Sequence, residues 1–189
     1  ILMIVVCSLK DLDLVCESIK PSHVISVIDP GFAPKTPKGV EKHLKLGFDD
    51  IIEVSDSNSI FRLNKDIVEQ VLPSLKHANT IIDFLKSWNN SKPLVIHCWC
   101  GVSRSMAIAS YLLCKEDLSN IDKNVRYIRS VAPHANPNKL MIKFFENLLK
   151  VNNQITQAYG KYPHTITYDC ATNFAPVTIF DINNMNDFV

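Results

Sequence analysis

The stretch LVIHCWCGVSRSMAIASYLLC, residues 94–114, constrains the fold of this chain more than any other segment. A short apolar run ends at His97, a glycine-containing loop follows, and the run after the loop is apolar nearly all round. The first pattern is typical of a buried strand, and a helix that is apolar on every side has to lie inside the molecule. The segment therefore predicts a central strand, a tight loop, and a central helix that begins near Ser103 or Arg104.

Two apolar runs near the amino terminus, LMIVVCSL and HVISVID, have the length and composition of buried strands. Between them Leu12, Val15 and Ile19 recur at helical spacing. A strand–helix–strand unit favours parallel strands joined by a crossover helix, and KHLKLGF alternates well enough to add a strand. We therefore predict an α/β fold with a central, mostly parallel sheet flanked by helices on both faces.

Two further amphipathic helices are predicted, one before residues 94–114 and one after them. Apolar residues at helical spacing run from Val68 to Leu85, and Pro73 either kinks this helix or starts its second half. In NPNKLMIKFFENLLK, Asn136 is predicted as the N-cap and Pro137 as the first helical residue.

The chain of 189 residues has the length of one ordinary domain, or of a domain with a tail. We predict a main domain over residues 1–152 and a C-terminal extension over 153–189, packed through APVTIF. A net charge of +1 argues against nucleic acid as a partner. No apolar stretch reaches the ~18 residues that span a bilayer, so membrane insertion is not expected. The opening run lacks the flanks of a signal peptide, so a cytoplasmic location with reduced thiols is predicted.

The loop contains two cysteines, Cys98 and Cys100, and three interpretations of them compete. No second Cys-x-Cys or Cys-x-x-Cys is present to complete a zinc site, so no metal is predicted. A redox pair is possible chemically, because Cys100 could trap an oxidised Cys98, although a bond two residues apart is strained. The third interpretation is a loop that binds an anion, with Cys100 as a plain lining residue.

The anion-binding interpretation rests on how a strand, a glycine loop and a helix start combine. This geometry directs successive backbone N–H groups into one concavity and adds the positive end of a helix dipole. Arg104, at the far end of the loop, can grip two phosphoryl oxygens, and Gly101 permits a tight turn. The same groups stabilise a thiolate at Cys98, which would then be a nucleophile facing phosphorus.

The arrangement HCWCGVSRS resembles the phosphate-binding loop of the cysteine-dependent protein tyrosine phosphatase superfamily, in its dual-specificity-like branch. It is also similar to the H-C-W-x-G-x-S-R-S loop of small bacterial phosphatase-like proteins. The resemblance implies that Cys98 is the nucleophile, that Arg104 binds the phosphoryl group, and that Ser105 stabilises the thiolate. His97 would orient the surroundings of the cysteine. The residues implied to cradle the phosphate are Trp99, Cys100, Gly101, Val102, Ser103 and Arg104.

The general acid is predicted from FDD, which resembles the loop that carries this residue in the family. Asp50 is our choice, with Asp49 and Asp56 as rivals. Asp50 lies 48 residues before Cys98, farther than the family pattern places its acid, so IIEVSDSNSIFRLN would be an insertion. Asp66 has the better spacing but is predicted to start a helix.

The resemblance implies a metal-independent phosphomonoester hydrolase without cofactor, a protein tyrosine or dual-specificity phosphatase that works through a phosphocysteine intermediate. Its partner would be a phosphorylated protein or a small phosphomonoester. A second hypothesis is a catalytically weak pseudophosphatase that binds phosphate groups but has its acid misplaced by the insertion. A third is a thiol redox protein that uses Cys98 and Cys100.

Overall fold

A computed structural model describes residues 2–55, 69–169 and 171–189 of the chain. The strands are β1 (Met3–Ser8), β2 (His23–Ile28), β3 (Lys42–Gly47), β4 (Leu94–Cys98) and β5 (Thr178–Asp181). The helices are α1 (Leu12–Ile19), α2 (Leu75–Leu85), α3 (Arg104–Glu116), α4 (Ile121–Val131), α5 (Lys139–Leu149), α6 (Gln154–Lys161) and α7 (Ile182–Asn186).

The sheet has the strand order β3-β2-β4-β1-β5. The first four strands in this order are parallel, whereas β5 pairs with β1 in the antiparallel direction. The α/β prediction and the mostly parallel sheet are therefore confirmed. Because β4 lies in the middle, its carboxyl end, where Cys98 stands, is flanked by the ends of β1 and β2. Ligands of parallel sheets bind at this edge.

Helices cover both faces of the sheet, as predicted, but unequally. The larger core joins one face to α2 through α6 and buries the whole of α3 up to Cys114. On the other face, α1 is the only helix of the described ranges in the smaller core, where Leu12, Val15 and Cys16 pack against Val5, Val24 and their neighbours. The helix predicted to be central is thus the one around which the others pack.

The helix predicted from Val68 begins later than expected. Val68 lies outside the described residues, and α2 starts at Leu75 with Ser74 as its N-cap. Pro73 disfavours helical backbone at the residue before it, so the helix does not extend back through this segment, and residues 69–74 have no regular secondary structure. Val71 instead pairs with Asp49, whose backbone N–H donates to the Val71 carbonyl at 2.8 Å. Pro73 therefore neither kinks the helix nor occupies its first position.

The cap predicted at Asn136 is wrong by two residues. The N-cap of α5 is Asn138, whose side chain accepts a hydrogen bond from the N–H of Met141 at 3.0 Å. Asn136 donates its N–H to Val102 in the loop instead. Pro137 therefore precedes the helix and does not begin it.

The segment after residue 152 contributes to the same sheet and core. Phe180 in β5 and Met185 in α7 are fully buried. The boundary predicted at 152/153 stays a prediction. No helix in the described part of the chain has the length and apolarity that a membrane span requires.

Candidate active site

The loop from Cys98 to Arg104 joins the end of β4 to the start of α3. Its turn depends on Gly101, which has φ +76°. A Cβ at this position would lie 2.9 Å from the carbonyl carbon of Cys7, closer than such contacts allow. Gly101 is needed both for the backbone conformation and for the close approach to β1.

Four carbonyls of the loop are bound from outside it. The Cys98 carbonyl lies 3.1 Å from His97 Nδ1, and the Trp99 carbonyl accepts from the N–H of Leu9 at 3.2 Å. The carbonyls of Val102 and Ser103 accept from the N–H groups of Asn136 and Asn138. Because the C=O and N–H of a trans peptide unit point in opposite directions, this arrangement favours N–H groups that face the interior of the loop.

The Cys98 thiol is buried and has hydrogen-bond donors within reach. Gly101 donates its backbone N–H to Sγ at 3.3 Å, and Ser105 Oγ lies 3.1 Å from Sγ. When Cys98 is a thiolate it only accepts, so the Ser105 hydroxyl then donates. Cys98 also stands at the N-terminus of the 13-residue helix α3, whose dipole favours a negative charge.

Arg104 is 3% exposed and is held along one edge of its guanidinium. Nη1 donates to Asp29 Oδ1 at 2.6 Å and to the Phe48 carbonyl at 2.7 Å. Nε has no hydrogen-bond partner among the described residues, although it is buried. A buried donor without a partner is uncommon, and here it belongs to a group suited to bidentate binding of phosphate.

Asp50 lies beside the loop. Its Oδ1 accepts from Ser103 Oγ at 2.6 Å and from Asn138 Nδ2 at 2.9 Å. Ser103 is the N-cap residue of α3, yet its side chain makes no capping hydrogen bond and donates to Asp50 instead. Oδ1 is thus fixed by two donors, which leaves Oδ2 as the oxygen that can carry a proton.

The other acidic candidates are less suitable or lie outside the description. Asp49 is 2% exposed, and its Oδ2 accepts from the N–H of Val71 at 2.7 Å, so it holds the chain before α2. Asp56 and Asp66 lie outside the described residues. Of the carboxylates in FDD, Asp50 is the one that contacts the loop.

Trp99, which directly follows Cys98, is half-buried and packs against an exposed aromatic side chain. Its ring lies 5.3 Å from that of Phe32, at an interplanar angle of 58°. Phe32 is 47% exposed, so this aromatic pair is open to solvent on the Phe32 side.

The thiols differ in their chemical state. Cys98 is free, whereas Cys100 takes part in a disulfide, so the two do not pair with each other. The prediction of reduced thiols therefore does not hold at Cys100. Burial raises the pKa of Cys16 to about 11 and that of Cys114 to about 12, so both stay protonated near neutral pH. Within the described ranges no group of His, Cys, Asp and Glu side chains could hold a metal ion.

Two residues that contact the predicted site were missed or misplaced in the sequence analysis. Asp29 directly follows β2, and the carboxyl edge of a parallel sheet was the signal that could have identified it. Asn138 was hidden because its neighbour Asn136 fits the cap pattern equally well. The structure brings Asp29, Asp50 and Asn138 together around the loop through Arg104 and Ser103.

Comparison with known proteins agrees with this geometry. The family model for the catalytic domain of dual specificity phosphatases matches residues 39–154. Human dual specificity protein phosphatase 16 is 29% identical over 99 residues, which are 52% of this chain. The matched region is 14% of that human protein, so the similarity concerns only a small part of it.

Solved structures show the same fold. The structure of DUSP15 has a TM-score of 0.52 at 18% identity and covers 86% of this chain and 94% of its own. The Yvh1 phosphatase domain from Chaetomium thermophilum has a TM-score of 0.54 at 19% identity, with 78% of this chain and 90% of its own covered.

Proposed function

This chain belongs to the dual specificity phosphatase catalytic-domain family, and from that premise we propose that it is a metal-independent phosphomonoester hydrolase. Its partner is a phosphorylated protein or a small phosphomonoester, and the reaction passes through a phosphocysteine at Cys98. The loop of residues 99–104 holds the phosphate.

One observation carries the proposal more than any other. The buried Arg104 is anchored through Nη1 to Asp29 and Phe48, and its Nε has no partner in the described part of the chain. An edge fixed in this way presents the opposite donors to an anion without losing side-chain entropy on binding. The same loop carries the Cys98 thiol with Gly101 and Ser105 as donors. A phosphate gripped by Arg104 would therefore meet a stabilised thiolate.

The two chemical steps follow from these positions. The Cys98 thiolate attacks phosphorus, the ester P–O bond breaks, and the leaving oxygen takes a proton from Asp50. Water then attacks the phosphocysteine, gives a proton to the Asp50 carboxylate, and the S–P bond breaks to release phosphate and the thiolate. Arg104 and the loop amides stabilise the charge on the equatorial oxygens in both transition states.

The experiment that tests the function is hydrolysis of p-nitrophenyl phosphate by the full chain in the presence of EDTA. We expect turnover that EDTA does not reduce and that vanadate, which resembles phosphate at this site, inhibits. Turnover that requires an added metal ion would contradict the proposal. Binding of phosphate without turnover would instead support the pseudophosphatase, and reaction with disulfides without any effect of phosphate would support the redox protein.

We also propose that Asp50 is the general acid, and substitution of its carboxyl group tests this role. Asp50→Asn keeps an oxygen that accepts from Ser103 and Asn138 but removes the proton. We expect kcat/KM for an alkyl phosphate to fall about 100-fold and kcat/KM for p-nitrophenyl phosphate to fall much less, because kcat/KM reflects the step that breaks the ester bond and an alkoxide leaves poorly without protonation. Steady-state rates with the two substrates measure this difference.

The matched control is Asp49→Asn, which preserves an acceptor for the Val71 N–H and should leave the ratio of the two rates unchanged. A leaving-group effect in Asp56→Asn that is missing from Asp50→Asn would show that the acid assignment is wrong.

We place the protein in the cytoplasm, as the sequence predicts. Fractionation of cells tests this location, and the redox state of Cys100 in the same extract is informative. The structure has Cys100 in a disulfide, and such bonds are rare in the cytoplasm, so recovery of the protein from an oxidising compartment would contradict this location.

A further inference from the structure

A line of hydrogen-bonding side chains runs across the sheet to the nucleophile's backbone. Thr36 Oγ1 lies 3.0 Å from His43 Nδ1, and His43 Nε2 lies 2.6 Å from Ser26 Oγ. Ser26 Oγ lies 2.5 Å from His97 Nε2, and His97 Nδ1 lies 3.1 Å from the Cys98 carbonyl. We refer to Thr36, His43, Ser26 and His97 as the relay.

The strand register explains why the relay is continuous. Ser26 in β2 is paired with His97 in β4, and Val24, two residues before Ser26, is paired with His43 in β3. Paired residues of parallel strands share a face of the sheet. Ser26 and His97 are completely buried, so their polar atoms depend on each other.

Only one placement of the hydrogen atoms satisfies all four hydrogen bonds of the relay. Burial lowers the pKa of His97 to about 4, with help from the Arg104 charge, and burial likewise lowers the pKa of His43 to about 4 with help from Lys45. Each ring therefore has a single N–H near neutral pH. The Cys98 carbonyl only accepts, so the N–H of His97 is on Nδ1 and its Nε2 must accept.

The remaining positions then follow in order. The Ser26 hydroxyl donates to His97 Nε2, which uses its only proton. Ser26 Oγ therefore accepts from His43 Nε2–H, and the bare His43 Nδ1 accepts from the Thr36 hydroxyl. All four bonds run in one direction, from the exposed Thr36 to Cys98.

Bonds aligned in this way have their positive ends toward Cys98. Hydrogen bonds in a chain polarise one another, and dipoles aligned with the positive end toward a group favour negative charge there. The charged and titratable groups that face the relay are Lys45 at His43, Arg104 at His97, and Cys7, which is paired with His97 in β1. Burial raises the pKa of Cys7, so it stays neutral and does not oppose this effect.

We propose that Ser26 and His43 are positioning residues that act through His97 to fix the Cys98 peptide unit and to favour the thiolate. The inference rests on the proposed role of Cys98 as nucleophile. Ser26 and His43 are not catalytic residues, because neither contacts the reacting atoms.

The test is the rate at which iodoacetamide alkylates Cys98 as a function of pH, followed by mass spectrometry of the Cys98 peptide. Donors that favour the anion lower the pH at which it forms, so their removal raises that pH. In Ser26→Ala and in His43→Leu we expect the midpoint to move upward by about 0.5–1 pH unit. Ser26→Thr keeps the hydroxyl that donates to His97, and His43→Gln keeps an N–H that can donate to Ser26. Both variants should therefore have the midpoint of the wild type.

The control is a second serine–histidine pair at the other end of β2. Ser22 Oγ lies 2.8 Å from His23 Nδ1, and this pair does not reach Cys98. Ser22→Ala should leave the alkylation profile unchanged. Profiles of Ser26→Ala and His43→Leu that coincide with the wild type would overturn the inference.

Alkylation does not depend on turnover, so the two proposals fail separately. A chain that hydrolyses nothing but shows the shifted midpoint supports the relay and contradicts the proposed hydrolase. A hydrolase with unshifted midpoints contradicts the relay alone.

Discussion

Cys98→Ser is expected to abolish hydrolysis of p-nitrophenyl phosphate, with a loss of at least about 10⁴-fold in kcat. A serine hydroxyl at this position is protonated near neutral pH, and the groups around Cys98 stabilise a thiolate much better than an alkoxide. Gly101 and Ser105 would still contact the new hydroxyl, so the loop should keep its shape. Steady-state kinetics with the purified variant measures the loss.

The variant should still bind phosphate, because Arg104 and the loop amides are unchanged. A phosphate-dependent rise in Tm in Cys98→Ser would therefore separate lost chemistry from lost binding. The matched control is Cys114→Ala, which removes a buried protonated thiol from α3 and should keep its activity. Near-normal turnover by Cys98→Ser would show that another residue is the nucleophile.

Arg104→Lys is expected to lower kcat/KM about 10³-fold, close to the loss found when a charge-stabilising donor is removed. Arg104 is assigned two tasks, since Nη1 binds Asp29 and the Phe48 carbonyl while Nε, which has no partner among the described residues, is left for the phosphate. A lysine ammonium is a single point of charge and can serve only one of them. Kinetics and the phosphate-dependent rise in Tm should both show the loss.

Arg126→Lys is the control for the effect of replacing any arginine of this chain by lysine. Arg126 is half-buried on α4 and forms an ion pair with Asp122 at 3.3 Å, far from the loop in sequence. We expect its kinetics to match those of the wild type. Equal activity in Arg104→Lys and the wild type would contradict the anchoring of the guanidinium as the source of phosphate binding.

Local patterns predicted the parts of the fold that they determine. The apolar runs of β1, β2 and β4 and the all-round apolar helix α3 are present as expected, because burial on both sides leaves a clear signal in sequence. The late start of α2 was not predicted, since the pattern of Val71 and Leu72 also fits an extended segment. Pro73 and the pairing of Val71 with Asp49 decide between the two.

The site was predictable where one short motif contains its members. Cys98 and Arg104 lie at the two ends of one short loop, so their spacing in sequence was enough to predict that they lie together. Asp29 contacts Arg104, and Ser26 contacts His97, because the strand order β3-β2-β4 places β2 beside β4, and the sequence does not give that order directly. The relay further requires His43 in register with β2, and a single histidine in an edge strand gives no indication of that.

The most direct test of the account is to detect a phosphoryl group on Cys98 during turnover. The wild type and Asp50→Asn are mixed with p-nitrophenyl phosphate, quenched within one turnover, digested and analysed by mass spectrometry. We expect the Cys98 peptide to carry one phosphoryl group, and we expect more of this phosphopeptide in Asp50→Asn, in which the water that hydrolyses it is not activated. Release of p-nitrophenol with no phosphoryl group on Cys98, or with the group on Ser103 or Ser105, would contradict it.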